Sequence, residues 1–234
     1  MPSEASLLRR PECYFVTGTD TGVGKTLVSA ALLHALALRH ARVVGMKPVA
    51  AGGLLREGDG WVNEDVAALR QASTLRVAPG LDNPVLLPEP LSPHLAALHA
   101  GRRISIPALQ QAFDALQAQA DAVVVEGAGG WLVPLDEQRT MADLAMALAL
   151  PVVLVVGLRL GCLNHALLSA AAIRASGLRL AGWVANRIDP KMACVDENLA
   201  YLQTHLPAPL LGDIAYADAP DAKAVRLQLP EPHA

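Results

Sequence analysis

Hydrophobic segments alternate along this chain with polar segments that are rich in glycine or proline. Short runs dominated by valine and leucine are typical of buried strands, and longer runs rich in alanine and leucine are typical of helices. The pattern predicts strands at 13–16, 42–49, 122–126, 152–157, 180–185 and 210–212. It predicts helices at 27–38, 64–71, 107–120, 140–148, 164–176 and 191–205. Near-continuous apolar strands separated by helices indicate an α/β fold, with a mostly parallel β-sheet flanked by helices on both faces.

Three segments break this alternation. The polar, glycine-rich segment 52–60 is expected to form a loop that moves. Segment 77–93 holds five prolines and is expected to connect the elements without regular structure. Residues 218–234 are polar and include proline, so we expect a peripheral C-terminal tail. The chain is therefore predicted to be a single domain over 1–234, with its core at about 13–213.

Composition supports one large core and argues against several classes of protein. The chain has 234 residues, 53% of them hydrophobic, and a formal net charge of -3, which gives no electrostatic reason to expect a nucleic-acid partner. Three scattered cysteines, Cys13, Cys162 and Cys194, fit a reducing compartment, so we expect a cytoplasmic protein. No secretory h-region is evident near the start, and the most apolar segment, 145–158, is interrupted by Pro151, so no membrane association is expected.

The strongest candidate for chemistry lies between the first predicted strand and the first predicted helix. The segment from Gly18 to Thr26 contains three glycines followed by Lys25. Glycines let backbone N–H groups turn toward an anion, the lysine can reach the outer phosphates of a nucleotide, and the threonine hydroxyl can bind Mg²⁺. The usual spacing G-x-x-x-x-G-K-[ST] would place a glycine where this chain has Thr19, so the loop is a lengthened variant. The alternative, a glycine-rich turn with a chance Gly-Lys-Thr, is disfavoured by the strand before it and the helix after it.

Three charged residues can complete a phosphate-transfer site. Lys47 lies at the carboxyl end of one predicted strand, just before Pro48, and Glu126 ends another; the carboxyl ends of parallel strands are where ligands bind. Asp65 lies in the first turn of a predicted helix, behind Asn63 as its N-cap. Each also has a structural explanation, because Lys47 could be a surface lysine, Asp65 a helix-capping acid and Glu126 a solvent-facing strand end. With a phosphate loop in the chain, we favour a metal-binding role for Glu126.

Several separated segments together resemble the dethiobiotin synthetase family. They are 14–26, 47–50, 125–131, 155–165, 181–186 and 207–212, so the resemblance extends from about residue 13 to 213. It implies a P-loop NTPase-like fold and a reaction that depends on ATP and Mg²⁺. In that reaction CO2 carboxylates 7,8-diaminononanoate, ATP phosphorylates the resulting carbamate, and the second amine closes the ureido ring of dethiobiotin.

The resemblance also implies roles for individual residues. The residues that would take part in catalysis are Lys25, Lys47 and Thr21. Those that would bind ATP are Gly22, Val23, Gly24, Lys25, Thr26, Leu27 and, against the adenine, Asn186. Mg²⁺ would be held by Thr26, Asp65 and Glu126. Lys47 would contact the carbamate, and the substrate carboxylate would lie on a helix start contributed across a homodimer interface, at Gly161, Cys162, Leu163 and Asn164.

Two positions depart from the family pattern, and two other functions stay open. Gly22 stands where some members carry glutamate, and Ala51 stands where relatives carry a serine that can contact substrate. A P-loop ATPase switch that acts through a protein partner usually has an extra lysine early in the loop, and positions 18 to 24 contain none. Another ATP-dependent amide or carboxylate ligase, of the cobyrinate amidase type, is expected to need a glutamine amidotransferase domain, for which 234 residues leave no room.

Overall fold

A parallel sheet covered by helices forms the centre of the structure, a computed structural model that describes residues 11–56, 60–78 and 80–230. In chain order its elements are β1 (Glu12–Gly18), α1 (Lys25–Ala37), β2 (Val43–Met46), β3 (Val49–Ala51), β4 (Leu54–Arg56), β5 (Gly60–Val62), α2 (Glu64–Ala72), β6 (Val85–Leu87), α3 (Pro93–His99), α4 (Ile106–Gln117), β7 (Ala122–Gly130), α5 (Met141–Leu148), β8 (Val152–Leu158), α6 (Cys162–Ala175), β9 (Leu180–Arg187), α7 (Val195–His205) and β10 (Leu210–Ile214). None of the described helices is long and apolar enough to cross a membrane.

The central sheet has the strand order β10-β9-β8-β1-β7-β2, and every neighbouring pair in it is parallel. β1 lies between β7 and β8, with Phe15 opposite Val125 on one side and opposite Val152 on the other. All six strands therefore end at the same edge of the sheet, and the chain reverses its direction of winding beside β1. A crevice forms outside the carboxyl ends of the strands at such a point, which is where ligands bind in open α/β sheets.

Side chains of each strand alternate between two hydrophobic cores, one on each face of the sheet. Phe15 and Val125 are buried in the core that contains residues of α4, α5 and α6. Tyr14, Val16 and Val124 are buried in the core that contains residues of α1 and α2. Burial on both faces explains why the strands are continuous apolar runs, and it confirms the predicted fold class.

The segment 52–60 is not the loop that the sequence predicts. β4 and β5 pair antiparallel, with Leu55 opposite Trp61, and residues 57–59 between them lie outside the described part of the chain. The prediction failed because the glycines of this segment dominate its composition, whereas each strand of the hairpin is only three residues long. Whether this segment moves stays a prediction.

The proline-rich segment 77–93 also contains regular structure that the sequence analysis missed. β6 pairs in parallel with β3, with Val85 opposite Val49. Pro84 and Pro88 flank β6 and do not interrupt it. Pro93 is the first residue of α3, a position where the missing N–H group costs no hydrogen bond.

The described part of the C-terminal tail packs against the core, contrary to the expectation that it is peripheral. Leu227 lies so close to Gly212 that a Cβ built on that glycine would be 2.6 Å from Leu227 Cδ2. Gln228 N donates to Leu211 O at 2.8 Å, and the Tyr14 hydroxyl oxygen lies 3.3 Å from Pro230 O. The tail was misjudged because its apolar residues are isolated among polar ones, so no periodic pattern marks them.

Candidate functional site

The loop between β1 and α1 has the geometry of an anion cradle. Gly22 and Gly24 have φ angles of 74° and 90°, in the left-handed region that favours glycine. Gly24 is the N-cap of α1, so the free N–H groups at the start of this helix face the same space. A Cβ on Gly24 would also lie 2.2 Å from Asn186 Nδ2, so a larger residue here would have to displace the Asn186 side chain. The predicted phosphate loop is therefore built as the motif requires.

Lys25 is buried beside this loop. It is 7% exposed, and its Nζ donates to Asp20 O at 2.9 Å. The pKa of Lys25 is lowered from 10.5 to about 8. Burial is the main cause, and the nearby positive charge of Lys47 contributes to the same shift. An anion in the cradle would restore the preference for the charged ammonium, so this lysine is suited to binding a phosphate.

A second lysine and two acids meet next to the loop. Lys47 Nζ lies 2.5 Å from Glu126 Oε1 and 2.9 Å from Asp65 Oδ2. Burial disfavours the charged ammonium of Lys47, but Glu126 and Asp65 outweigh it and raise the pKa of Lys47. Burial likewise opposes ionisation of Asp65, yet Lys47 and the Thr26 hydroxyl bring the pKa of Asp65 below its usual range. Lys47 is therefore a charged, buried group, which rules out the surface-lysine explanation.

The surroundings of Glu126 also exclude the structural explanation of this residue as a solvent-facing strand end. It is completely buried, and it lies inside β7 opposite Val16, not at the strand's end as the sequence predicts, because β7 continues through the glycines that follow it to Gly130. A carboxyl group in this position is not a solvent-facing strand end. Asp65 is in the first turn of α2, whose N-cap is Asn63 as predicted, with Asn63 Oδ1 accepting from Val66 N.

Three oxygen-bearing side chains converge where a divalent cation can bind. Thr26 Oγ1 lies 2.7 Å from Asp65 Oδ1 and 2.9 Å from Glu126 Oε1, but its single proton can serve only one of these acceptors. The other carboxyl oxygen, Glu126 Oε2, is buried without a hydrogen-bond partner in the described part of the chain. No cluster of three or more His, Cys, Asp and Glu side chains suited to a metal occurs in that part, so a cation here would take the threonine hydroxyl as its third protein ligand. Oxygen donors of this kind are those Mg²⁺ prefers, so the residues fit this ion.

One cavity of about 630 Å³ brings most of the predicted site residues together. The predicted residues that line it are Thr21, Gly22, Gly24, Lys25, Thr26, Lys47, Asp65 and Glu126. Its other lining residues are Ala51, Pro90, Leu91, Ser92, Pro93, Ala128, Gly129 and Val133. Most residues of this second group were not predicted from the sequence, although Ser-Pro before an apolar run is a helix-start signal that could have placed α3 here.

The remaining predicted residues lie outside that cavity. Leu27 lines a separate cavity of about 310 Å³ together with Thr26 and residues 220–223 of the tail. Val23 is buried under the loop, and its carbonyl accepts from Asn186 Nδ2 at 2.9 Å, so the side chain of Asn186 is joined to the loop.

The segment from Gly161 to Asn164 forms the start of α6. Gly161 is the N-cap, with a φ of 95°, and the helix begins at Cys162, two residues before the predicted start. None of the four residues lines the 630 Å³ cavity. Arg159, just before this turn, forms an ion pair with Asp20 of the phosphate loop, a link that the sequence analysis did not foresee because its partners are 139 positions apart.

Comparison with known proteins gives the family. A family model described as an AAA domain matches residues 12–224. A protein named ATP-dependent dethiobiotin synthetase BioD from Xanthomonas oryzae pv. oryzae is 52% identical over 225 residues, which cover 94% of this chain and 99% of the relative. Proteins of the same name from Xylella fastidiosa and Aromatoleum aromaticum are 54% and 50% identical, over 87% and 95% of this chain and 89% and 98% of their own lengths.

Solved structures resemble the chain in fold. A ParA family ATPase from Chlorobium tepidum superimposes with a TM-score of 0.54 at 12% identity, over 90% of this chain and 86% of that one. The septum site-determining protein MinD from Pyrococcus horikoshii, complexed with Mg-ADP, gives a TM-score of 0.52 at 16% identity, over 87% and 81%. At these identities the similarity extends to the fold alone. Since half of its residues match the named synthetases over nearly the full length of both chains, this chain belongs to the ATP-dependent dethiobiotin synthetase family.

Proposed function

We propose that the chain converts 7,8-diaminononanoate, CO2 and ATP to dethiobiotin, ADP and phosphate through a phosphorylated carbamate. Family membership makes it an ATP-dependent ligase that closes a ring in biotin biosynthesis; the course of the reaction and the roles of the residues are the proposal. The observation that carries it is that two buried lysines, Lys25 and Lys47, line one cavity with the phosphate loop. A reaction between a nucleotide and a small anion needs cationic groups on both.

The chemistry has three steps. One amine of the substrate adds to CO2 and loses a proton, which gives a carbamate. A carbamate oxygen then attacks the γ-phosphorus of ATP, and the bond to ADP breaks. Finally the second amine attacks the carbon of the phosphorylated carbamate and loses a proton, the C–O bond to phosphate breaks, phosphate leaves, and the ureido ring closes.

The phosphate loop and Lys25 would bind the triphosphate. The N–H groups of the loop and of the first turn of α1 surround the anion, and Lys25 would replace its present acceptor, Asp20 O, by phosphate oxygens. Thr21 lines the same cavity and can donate its hydroxyl proton to a phosphoryl or carbamate oxygen. The Asn186 side chain is joined to the loop at Val23 O, where its amide can contact the adenine.

Thr26, Asp65 and Glu126 would hold Mg²⁺. The metal, when bound, would screen negative charge on the transferring phosphoryl oxygens. Lys47 would place its ammonium group against the carbamate and the charge that develops as the phosphoryl group moves. Lys47 has three N–H donors, and their acceptors are Glu126 Oε1 at 2.5 Å, Asp65 Oδ2 at 2.9 Å and Gly127 O at 3.4 Å. An anion in the cavity would replace the longest of these contacts, the one to Gly127 O.

The substrate carboxylate would lie at the start of α6, on Gly161, Cys162, Leu163 and Asn164 of a second subunit. This turn is outside the cavity of its own chain, which is what a site shared across a homodimer requires. A helix of 14 residues presents free N–H groups at its start, and these suit a carboxylate. We also place the enzyme in the cytoplasm, where its free cysteines would stay reduced.

The two departures from the family pattern concern the substrate side of the site. A Cβ at Gly22 would contact nothing within 4 Å, so the space of a missing glutamate is open. Ala51 contributes a methyl group to the cavity in place of a hydroxyl. Neither change removes a group that we assign to phosphate or metal binding.

The reaction is tested with purified protein, ATP, Mg²⁺, bicarbonate and 7,8-diaminononanoate, with the product followed by mass spectrometry. We expect dethiobiotin to form with the wild type and to be largely abolished in Lys47→Ala, while Lys191→Ala, which changes an exposed lysine, forms it normally. ATP hydrolysis that is equal with and without the diamine, with no product of the right mass, would replace this proposal by the ATPase switch.

A further inference from the structure

The main chain of Lys47 is held by a turn outside the central sheet. β2 ends at Met46, so the peptide groups of Lys47 lie beyond its pairing with β7. Lys47 N donates to Asp82 O at 2.8 Å, and Lys47 O accepts from Asn83 Nδ2 at 2.7 Å. The position of Lys47 Nζ therefore depends on where residues 82 and 83 lie.

An ion pair holds the turn at residues 82 and 83 in place, because Arg70 contacts both carboxylate oxygens of Asp82. Arg70 Nε donates to Asp82 Oδ2 at 2.5 Å, and Arg70 Nη2 donates to Asp82 Oδ1 at 2.8 Å. The Asp82 side chain is only 7% exposed. A buried carboxylate needs a partner, and a planar guanidinium that binds both oxygens restricts its direction as well as its position.

Arg70 and Asp65 belong to the same helix, α2. Asp65 Oδ2 accepts from Lys47 Nζ at 2.9 Å, while Arg70 restrains the Lys47 main chain through Asp82. α2 itself is seated on β2, because a Cβ built on Gly45 would be 2.9 Å from Leu69 Cβ. One helix therefore restrains Lys47 at both ends of its side chain.

We propose that Arg70 and Asp82 form a positioning pair that sets the ammonium group of Lys47 for the reaction, an inference that rests on the role proposed for Lys47 above. Neither residue lines the 630 Å³ cavity, so both act through Lys47. Without the pair, the turn at 82–83 loses its anchor and the Lys47 main chain shifts with it. A displacement of about 1 Å at a reacting group can cost about a hundredfold in rate.

The first measurement is the steady-state rate of dethiobiotin formation by Arg70→Ala and Arg70→Lys. We expect kcat to fall by about tenfold to a hundredfold in Arg70→Ala, with KM for ATP within about threefold of the wild type. Arg70→Lys keeps the charge but lacks the planar fork, so it should recover only part of the rate, and it serves if Arg70→Ala does not fold. The matched control is Arg42→Ala, which removes a guanidinium that binds Asp121 away from the cavity.

The second measurement needs no turnover. The folded variants are treated with an amine-reactive reagent, and mass spectrometry follows modification of Lys47 relative to Lys223, which is exposed. A displaced Lys47 should be modified at least several-fold faster in Arg70→Ala or Arg70→Lys than in the wild type and in Arg42→Ala. A role confined to stability would lower the unfolding midpoint and leave this relative rate unchanged.

The two measurements separate failure of this inference from failure of the proposed function. If the wild type makes no dethiobiotin, the function is wrong, and Lys47 modification alone decides whether the pair positions it. If the wild type is active and the Arg70 variants keep its kcat, or if Lys47 modification is unchanged in them, the positioning role is wrong. A lower kcat together with faster Lys47 modification supports it.

Discussion

The two ends of the central sheet carry the same kinds of charged groups in opposite surroundings. The carboxyl end, which we call the site end, holds Lys25, Lys47 and Glu126, each at most 7% exposed. The opposite end holds the ion pair between Arg42 and Asp121, whose side chains are 57% and 30% exposed. The pair of Arg42 and Asp121 keeps much of its hydration, whereas the three charged groups at the site end have lost most of theirs.

This difference in exposure distinguishes charged groups that serve function from charged groups that have little effect on folding. Burying an ammonium or a carboxylate costs free energy that its partners seldom return in full, so buried charges are weak evidence for stability. Exposed pairs cost little and contribute little. Lys25, Lys47 and Glu126 are buried around one cavity, so the chain gives up stability there for a task that the cavity performs.

Replacing Glu126 should have the largest effect, on Mg²⁺ dependence. Glu126→Gln keeps the shape of the side chain but removes an anionic ligand, so the Mg²⁺ concentration for half-maximal activity should rise by about 100-fold, or about 2.7 kcal/mol. The free energy of unfolding, measured with urea, should change by less than this amount, because Lys47 keeps its contact with Asp65. Asp121→Asn at the opposite end is the control. An unchanged metal titration in Glu126→Gln would remove this residue from the metal site.

Replacing Lys25 should reverse the usual effect of a mutation on stability. Lys25→Met removes a charge that burial holds at a pKa of about 8, so nucleotide binding should be lost while the free energy of unfolding at pH 7 rises by about 2 kcal/mol. This value allows for the lost hydrogen bond to Asp20 O. Lys191→Met, at an exposed position, should leave the free energy of unfolding unchanged.

The sign of the pH dependence checks the cause. Below pH 8 Lys25 is charged in both the folded and the unfolded chain, so the folded state bears the full cost of burial. From about pH 8 to its ordinary pKa of 10.5, the folded chain releases the proton while the unfolded chain still binds it, and wild-type stability rises. The advantage of Lys25→Met should therefore shrink across this window. A difference that stays constant with pH would mean that burial of charge is not its cause.

Only part of this difference between the two ends of the sheet could be predicted from the sequence. The apolar runs predicted the central sheet, because strands buried on both faces are uniform in composition, and the Gly18 to Thr26 segment predicted the loop, because its chemistry is local. Lys47 and Asp65 were ambiguous because the contact that explains them joins residues 18 positions apart. Asp82 and Asn83 gave no signal, since a turn that holds a neighbouring main chain has no periodic pattern.

Residues that support stability without touching the site were the hardest to predict. Leu227→Ala should lower the free energy of unfolding by about 1 to 2 kcal/mol, since this half-buried leucine packs against Gly212 and the core under α1. The rate of dethiobiotin formation should not change, because Leu227 lines neither cavity described above. Leu38→Ala, at a leucine that is 89% exposed, is the matched control for stability. A loss of activity in Leu227→Ala that exceeds its loss of stability would connect the tail to the site.

Arg42→Ala at the opposite end should have the smallest effect. The Arg42 guanidinium donates to Asp121 Oδ1 and lowers the pKa of that carboxyl, so any stabilisation by the pair is present at neutral pH and is lost as pH falls through the lowered pKa. Both groups are well hydrated, and salt screens their attraction. The unfolding midpoint should therefore differ from the wild type only slightly at low salt and not at all at high salt, with kcat unchanged in both. If Arg42→Ala lowered kcat at either salt concentration, charges at the opposite end would influence the reaction, and the two ends could no longer be treated as separate in function.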